Sequence, residues 1–305
     1  MSWSPEVSGV RALFITTPTN DCDNHVAAWE SFNEPAARAI FIPGGAPQDD
    51  EILARARSVR PDVIFYIGAV TGFGLPSVAT LRALRDIAPT INLCSDATDA
   101  PWHQVLEYYK RQECFDLQVG IDGCADAPVD LSTVTPVDPR PFAGPGPERD
   151  ILCGFSGTVG TRGIRARVVS RLKMANVLTL RRRSQGASYA EHVAFMRRCR
   201  SVVNVSATGS ERLHHVKGRV LEAGWAGCAL FEMARSPTRR FFPGGSFFAY
   251  DHAQEIPAML ADERALAQRA AQLAAHVRAH YTPAQIYGQM LERAGVDHPV
   301  AVAAA

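Results

Sequence analysis

Short apolar runs alternate with helical patterns twice along this chain, and a stretch rich in proline and glycine separates the two series. The first series predicts strands at 11–16, 39–42, 63–67, 90–93 and 117–121. The second predicts strands at 150–155, 177–180, 201–205 and 228–231. Strands that alternate with helices form parallel sheets with helices on both faces. The pattern therefore predicts an α/β chain built from two Rossmann-like domains.

The separating stretch, 128–147, has no hydrophobic period and is the predicted linker. A chain of 305 residues also exceeds the size of about 250 to 300 residues at which single cores stop growing. We therefore expect domains at 1–140 and 141–305, with the final helices free to cross back to the first domain. Ligands bind outside the carboxyl ends of parallel strands, so the two domains are expected to face a cleft.

The net charge of +1 hides an asymmetry between the halves of the chain. Residues 1–150 contain 11 basic and 21 acidic side chains, and residues 151–305 contain 21 basic and 10 acidic ones. A basic second half suits an anionic ligand such as a diphosphate. Electrostatic attraction between the halves explains the same counts equally well.

The start of the chain lacks the basic region of a signal peptide, and the longest apolar-leaning run is 63–77. That run is shorter than the about 20 residues that a membrane-spanning helix needs. The seven cysteines include no Cys-x-x-Cys pair, which favours reduced, buried thiols. These features predict a cytoplasmic protein without a membrane span.

The segment 201–251 carries the most informative motif. A short strand with Asn204 is followed by Lys217-Gly-Arg219 and then by Glu222-Ala-Gly-Trp-Ala-Gly227. Two cations near a helix N-terminus offer charged donors, free N–H groups and a positive dipole to diphosphate oxygens. One turn farther on, the Glu222 carboxylate can accept hydrogen bonds from two vicinal hydroxyls. The alternative is a surface ion pair between Arg219 and Glu222, worth about 0.2–0.5 kcal/mol.

Together with Phe155-Ser-Gly157, Arg162 and the downstream His280-Tyr-Thr, this motif resembles CgeB-like glycosyltransferases, relatives of the group 1 enzymes of GT-B fold. The likeness covers residues 150–295. It implies that the second domain binds a nucleotide-diphosphate sugar and that Glu222 holds the ribose. The predicted donor-binding residues are Ser156, Gly157, Arg162, Lys217, Arg219 and Glu222. Group 1 enzymes commonly have a further glutamate eight residues before the ribose glutamate, where this chain has His214, so the stereochemistry of transfer is not implied.

The loop after the fourth predicted strand contains Asp96, Asp99 and His103, and an inverting reaction would need such a base to deprotonate the acceptor hydroxyl. Capping of the next helix by either aspartate is the structural alternative. His214 is a candidate acid for the leaving diphosphate, against the alternative of a histidine with no functional role. His25, after the first strand, is the second candidate base.

The expected function is transfer of a sugar from a nucleotide-diphosphate sugar to a hydroxylated acceptor. The donor is a substrate, so no separate cofactor is expected. Basic side chains and helix dipoles can stabilise a leaving diphosphate, so an obligatory metal is not expected either. One alternative is a protein that binds nucleotide sugar without transferring it.

The other alternative is a glycosyltransferase for nucleic-acid bases that uses the arginines at 181–183, 197, 198 and 200. No aromatic platform is interleaved with these arginines, which favours solvated helix faces, and nucleic acid is not expected as a partner.

Overall fold

The computed structural model describes residues 9–67, 74–182, 188–208 and 210–297. The chain divides into a first unit, residues 1–138 with 283–305, and a second unit, residues 139–282. The first unit thus ends two residues before the predicted boundary at 140, and the C-terminal residues return to it. Among the described residues, no helix is long and apolar enough to cross a membrane.

The first unit contains a six-stranded parallel sheet in the order β2-β1-β3-β4-β5-β6. Its strands are β1 Ala12–Thr16, β2 Ala37–Ile40, β3 Val63–Ile67, β4 Thr90–Cys94, β5 Leu117–Gly120 and β6 Leu131–Ser132. Its helices are α1 Asn20–Glu30, α2 Asp49–Val59, α3 Val78–Arg85, α4 Trp102–Arg111 and the final helix α10, Pro283–Arg293. Every residue of β1, β3 and β4 is buried, as expected for parallel strands covered on both faces.

Aromatic packing explains why the last helix crosses back to the first unit. Tyr287 of α10 lies edge-on to Trp29 of α1 and Phe65 of β3, with ring centroids 5.3 Å away in both cases. Its hydroxyl donates to the His25 carbonyl at 2.9 Å. Buried aromatic pairs of this geometry stabilise by about 0.5–1.5 kcal/mol beyond their burial.

The second unit contains a five-stranded parallel sheet in the order β11-β10-β9-β7-β8. Its strands are β7 Ile151–Gly157, β8 Thr179–Arg182, β9 Cys199–Val203, β10 Ala229–Met233 and β11 Phe248–Tyr250. Its α-helices are α5 Ile164–Met174, α6 Tyr189–Arg198, α7 Arg219–Ala226, α8 Ile256–Leu260 and α9 Glu263–His280, with short 3-10 helices at Arg140–Phe142, Pro237–Arg240 and Ala253–Glu255.

Several predicted boundaries differ from the structure. The strands β2 and β8 are shifted by two residues, and the predicted linker carries β6 and a 3-10 helix. The helices α8 and α9 are separate, because Asp262 accepts a hydrogen bond from Ala265 N at 2.9 Å and starts a new helix, α9. All seven cysteines are free and buried.

A close approach of α7 to α9 gives a stability prediction. A Cβ added to Gly224 in α7 would lie 2.5 Å from Val277 Cγ2 in α9. Alanine normally stabilises a helix interior by about 0.5–1 kcal/mol over glycine. Here we expect Gly224→Ala to lower the free energy of unfolding by about 1–3 kcal/mol in urea titrations, because the core is overpacked. Gly244→Ala is the control, since its Cβ would meet nothing within 4 Å; equal stability of the two variants would contradict the packing.

Candidate functional site

Glu222 is held by a histidine that the sequence motifs did not single out. Glu222 Oε2 lies 3.0 Å from His192 Nε2, and His192 Nδ1 lies 2.9 Å from Ser156 Oγ. The His192 and Glu222 side chains are only 15% and 14% exposed. An ionised carboxylate only accepts hydrogen bonds, so His192 Nε2 carries a proton and donates to Glu222. This contact joins α6 to α7 at the carboxyl edge of the second sheet.

The surroundings of Glu222 favour its ionised form. Burial acts to raise the pKa of Glu222, but the charge and hydrogen bond of His192, the charge of Arg219 and a hydrogen bond from Tyr189 outweigh burial and lower the pKa. Glu222 is therefore a carboxylate near neutral pH, available as a hydrogen-bond acceptor.

Arg219, predicted to bind diphosphate, is instead engaged by the protein. Its Nη1 donates to Asn204 Oδ1 at 3.1 Å, and its Nη2 donates to the Ser156 carbonyl oxygen. The guanidinium lies 5.0 Å from the centroid of the Phe155 ring, and burial lowers its pKa. Glu222 pairs with His192 in place of the surface ion pair with Arg219 that was the alternative.

Gly157 leaves room for this arginine. Its φ of +147° lies in the region that favours glycine, and an added Cβ would lie 3.1 Å from Arg219 Nη2. Gly157, which was predicted to bind the donor, therefore lies beside a protein cation.

A second buried carboxylate lies at the far end of the same network. Asn204 Nδ2 donates to Glu232 Oε2 at 2.7 Å, and the Met233 amide donates to Glu232 Oε1 at 2.9 Å. Glu232 is fully buried, and burial raises its pKa to about 7. We call the connected residues the polar chain: Glu222, His192, Ser156, Arg219, Asn204 and Glu232.

Two further predicted residues, Arg162 and His214, line a separate cavity of about 1050 Å³ in the second unit. Arg171 and Arg235 line it as well. Within the described part of the chain, the side chains of Arg162, Arg171 and Arg235 make no hydrogen bond or ion pair to a protein group, whereas the Arg167 side chain contacts Glu211 at 3.4 Å. The cavity therefore presents arginine side chains that make no direct ion pair, although Glu211 and Asp251 also line it.

His214 occupies the position of the absent glutamate and faces this cavity. Its Nδ1 lies 3.1 Å from Ser206 Oγ. Burial, then the charges of Arg235 and His215, lower the pKa of His214. Lys217 is half-buried, two residues before α7 begins.

The first-unit candidates lie along one loop and the first turn of α4. The Asp99 amide donates to the Asp96 carbonyl at 2.9 Å, and the His103 amide donates to the Asp99 carbonyl at 3.0 Å. His103 Nε2 lies 3.6 Å from Glu107 Oε1. Neither aspartate caps α4, because the residue before that helix is Pro101 and it makes no side-chain cap.

The prediction of His25 as a loop base is wrong, because α1 begins five residues earlier. Thr19 accepts a hydrogen bond from the Cys22 amide and starts the helix there. His25 is 6% exposed, and burial lowers its pKa to about 4. Within the same helix, Asp21 and Asp23 form an Asp-x-Asp pair, and Asp23 is paired with Arg38 at 2.5 Å.

The arginines considered for nucleic acid contact other protein groups. Arg198 pairs with Asp150, Arg200 with Glu263 at 3.0 Å and Arg181 with Glu191 at 3.4 Å. Arg197 donates to the backbone carbonyls of Gly144 and Pro145, which follow the 3-10 helix Arg140–Phe142. The side chain of residue 182 and all of residue 183 lie outside the described residues.

One sequence signal could have located His192. Ser188 and Glu191 form a capping box, in which each side chain accepts from the other's backbone amide. This motif fixes the start of α6, and Tyr189 and His192 then share one helix face because they are three residues apart. The sequence motifs assigned no site role to Tyr189 or His192.

Comparisons with known proteins agree with this architecture. Residues 160–292 match the family model described as "Glycosyl transferase-like". The HepE protein of Anabaena, solved with UDP-glucose, is 12% identical with a TM-score of 0.61, covering 93% of this chain and 98% of its own. The fold is GT-B.

Two more solved structures share that fold. A glycosyltransferase from Rickettsia africae is 8% identical with a TM-score of 0.62, covering 94% of this chain and 98% of its own. An α-glucosyltransferase in complex with UDP-glucose and DNA is 8% identical with a TM-score of 0.58, covering 94% of this chain and 99% of its own. No curated protein matches the chain.

The raised pKa of Glu232 gives a pH prediction. Between about pH 4.5 and 7 the folded protein keeps a proton on Glu232 that the unfolded chain releases, so this group's contribution to stability falls as pH rises. Each pKa unit corresponds to about 1.4 kcal/mol. Urea unfolding at pH 5, 6, 7 and 8 should therefore show a smaller decline for Glu232→Gln than for the wild type.

The exposed Glu263 supplies the matched control for that series. Glu263→Gln should follow the wild-type pH dependence. If Glu232→Gln follows it too, Glu232 does not hold a proton in the folded protein at these pH values.

Proposed function

We propose that this protein transfers a glycosyl group from a nucleotide-diphosphate sugar to a hydroxylated acceptor. The observation that carries the proposal is the ionised, largely buried carboxylate of Glu222, held by His192 at 3.0 Å. A carboxylate has about four lone-pair positions, so it can keep these protein contacts and still accept from vicinal ribose hydroxyls.

In this proposal, Glu222 and the arginine-lined cavity bind different parts of the donor. Glu222 takes the ribose, while Arg162 and Arg235 attract the diphosphate as cations without protein partners among the described residues. Lys217, just before the N-terminus of α7, adds a further charge. Ser156, Gly157 and Arg219 contribute by positioning α7 against β7 and β9, not by direct contact with phosphate.

The comparisons support this assignment without identifying the acceptor. The family model for residues 160–292 is a glycosyl transferase-like one, and HepE structures contain UDP, UDP-glucose, or UDP with glucose. The motif likeness to CgeB-like enzymes around Glu222 agrees with it. Asp96, Asp99 and His103 are the proposed acceptor-side groups, with one of them acting as base if the reaction inverts the anomeric centre.

His214 is the proposed partner of the leaving diphosphate. It lies in the same cavity as Arg162, and its lowered pKa keeps the imidazole neutral near pH 7, so it can donate one hydrogen bond from its N–H. With cations at hand for the developing charge, transfer is proposed to need no divalent metal, and EDTA should leave the rate unchanged.

Nucleotide binding is the first test. A ligand at 100 times its Kd stabilises the folded state by about 2.7 kcal/mol, which a thermal-shift panel of UDP, GDP, ADP and dTDP detects. We expect one nucleotide to raise Tm selectively and Glu222→Gln to weaken its binding about 10- to 100-fold, since hydrogen bonds to charged groups are lost. The absence of a shift with every nucleotide would falsify the donor site.

Turnover separates an enzyme from a protein that only binds donor. An enzyme consumes the nucleotide sugar and releases the nucleoside diphosphate, at least slowly to water, whereas a binding protein leaves the donor intact. Donor that binds but survives incubation with a panel of hydroxylated acceptors would favour the binding protein.

The cavity arginines allow a separate prediction about the diphosphate. We expect Arg162→Gln to weaken UDP binding about 10-fold while changing UMP binding much less, because its charge acts on the distal phosphate. Isothermal titration at two salt concentrations measures this, and the wild-type salt dependence should be the steeper one.

Arg278→Gln, which removes an exposed arginine from α9, is the control. Equal losses for UDP and UMP in Arg162→Gln would contradict a specific role at the distal phosphate.

A further inference from the structure

The contact between His192 and Glu222 assigns a role to a residue of α6 that no donor-binding motif includes. His192 is nearly buried, and both of its ring nitrogens are engaged, Nδ1 with Ser156 Oγ at 2.9 Å and Nε2 with Glu222 Oε2 at 3.0 Å. A ring bonded on both sides has a fixed orientation. Ser156 belongs to β7, so the sheet fixes the orientation of the His192 ring. The ring in turn fixes the orientation of the Glu222 carboxylate.

The tautomer of His192 follows from its partners. Because Glu222 can only accept, Nε2 carries a proton. Nδ1 accepts from the Ser156 hydroxyl when the ring has that proton alone, and it donates to Ser156 Oγ when the ring is an imidazolium. Ser156 is almost fully buried and its carbonyl oxygen accepts from Arg219 Nη2, so it is held in place from a second direction. The hydrogen bonds thus run from Ser156 through His192 to Glu222.

We propose that His192 is a positioning residue for the donor's ribose, which fixes the orientation in which the Glu222 carboxylate accepts the ribose hydroxyls. This inference rests on the proposed function of Glu222. The fixed carboxylate makes the site selective for a ribonucleotide over its 2′-deoxy counterpart, because it loses a hydrogen bond when one ribose hydroxyl is missing.

The groups that face Glu222 determine its pKa and therefore how nucleotide binding depends on pH. Tyr189 and His192 approach it from α6, and Arg219 from its own helix, α7. Without His192, only Arg219 and Tyr189 oppose the effect of burial, so the pKa of Glu222 rises and the carboxylate takes up its proton at a higher pH. The acid limb of nucleotide binding should therefore move to higher pH in His192→Ala, a change that a purely structural packing role does not produce.

The test compares UDP with 2′-deoxy-UDP, and GDP with 2′-deoxy-GDP, by calorimetric titration of the full chain. We expect the wild type to prefer the ribonucleotide of the pair that binds by about 10-fold or more. In His192→Ala this preference should fall to roughly threefold or less, because the ribonucleotide loses affinity while the deoxynucleotide, which already lacks the contact, changes little.

Two further variants distinguish a local effect at Glu222 from a loss of the fold. His192→Gln keeps a side-chain N–H that can donate to Glu222, so it should retain an intermediate preference and rescue part of the loss. His280→Gln, at the exposed end of α9, should behave as the wild type. Circular dichroism and Tm establish that each variant is folded.

The outcomes separate this inference from the proposed function. If the wild type discriminates but His192→Ala keeps the same ratio, with both nucleotides weakened equally, His192 has only a packing role and the inference is overturned. If the wild type binds no ribonucleotide at all, the donor site itself is wrong and the inference falls with it.

Discussion

The buried guanidinium of Arg219 joins three elements at the carboxyl edge of the second sheet. It donates to the backbone of β7 at Ser156 and to Asn204, which follows β9, while belonging to the first turn of α7. A buried charge that loses its partners costs about 3–5 kcal/mol, so the start of α7 is fixed where these acceptors are. Glu222 lies one turn along the same helix, and its position therefore depends on a residue that makes no contact with ligand in our proposal.

Small residues make this arrangement sterically feasible. Gly157 at the end of β7 leaves space beside Arg219 Nη2, and Gly224 in α7 lets that helix approach Val277 of α9. The helix is thus held at its start by hydrogen bonds and along its length by close packing. Both constraints act on the same eight-residue element, which is too short to be stable alone.

The sequence was sufficient to predict the two parallel sheets, because buried parallel strands read as continuous apolar runs. It also singled out Glu222, whose role in donor binding stays a prediction. It did not reveal the direction of the Arg219 side chain, since a cation before a helix can point to a ligand or back to the sheet, and only the acceptors on β7 and after β9 decide this. His192 was missed because its partners, Ser156 and Glu222, are 36 and 30 residues away in sequence.

The excess of basic residues in the second half is a poor guide to where an anion binds. Most of the arginines that attract attention in the sequence are used within the protein, as Arg198 is with Asp150 and Arg200 is with Glu263. Paired charges contribute little to the field at a distance, particularly when salt screens them. The potential felt by a diphosphate therefore depends on the cations that form no direct ion pair. Among the described residues Arg162 and Arg235 are two of these, and they line one cavity together with Glu211 and Asp251.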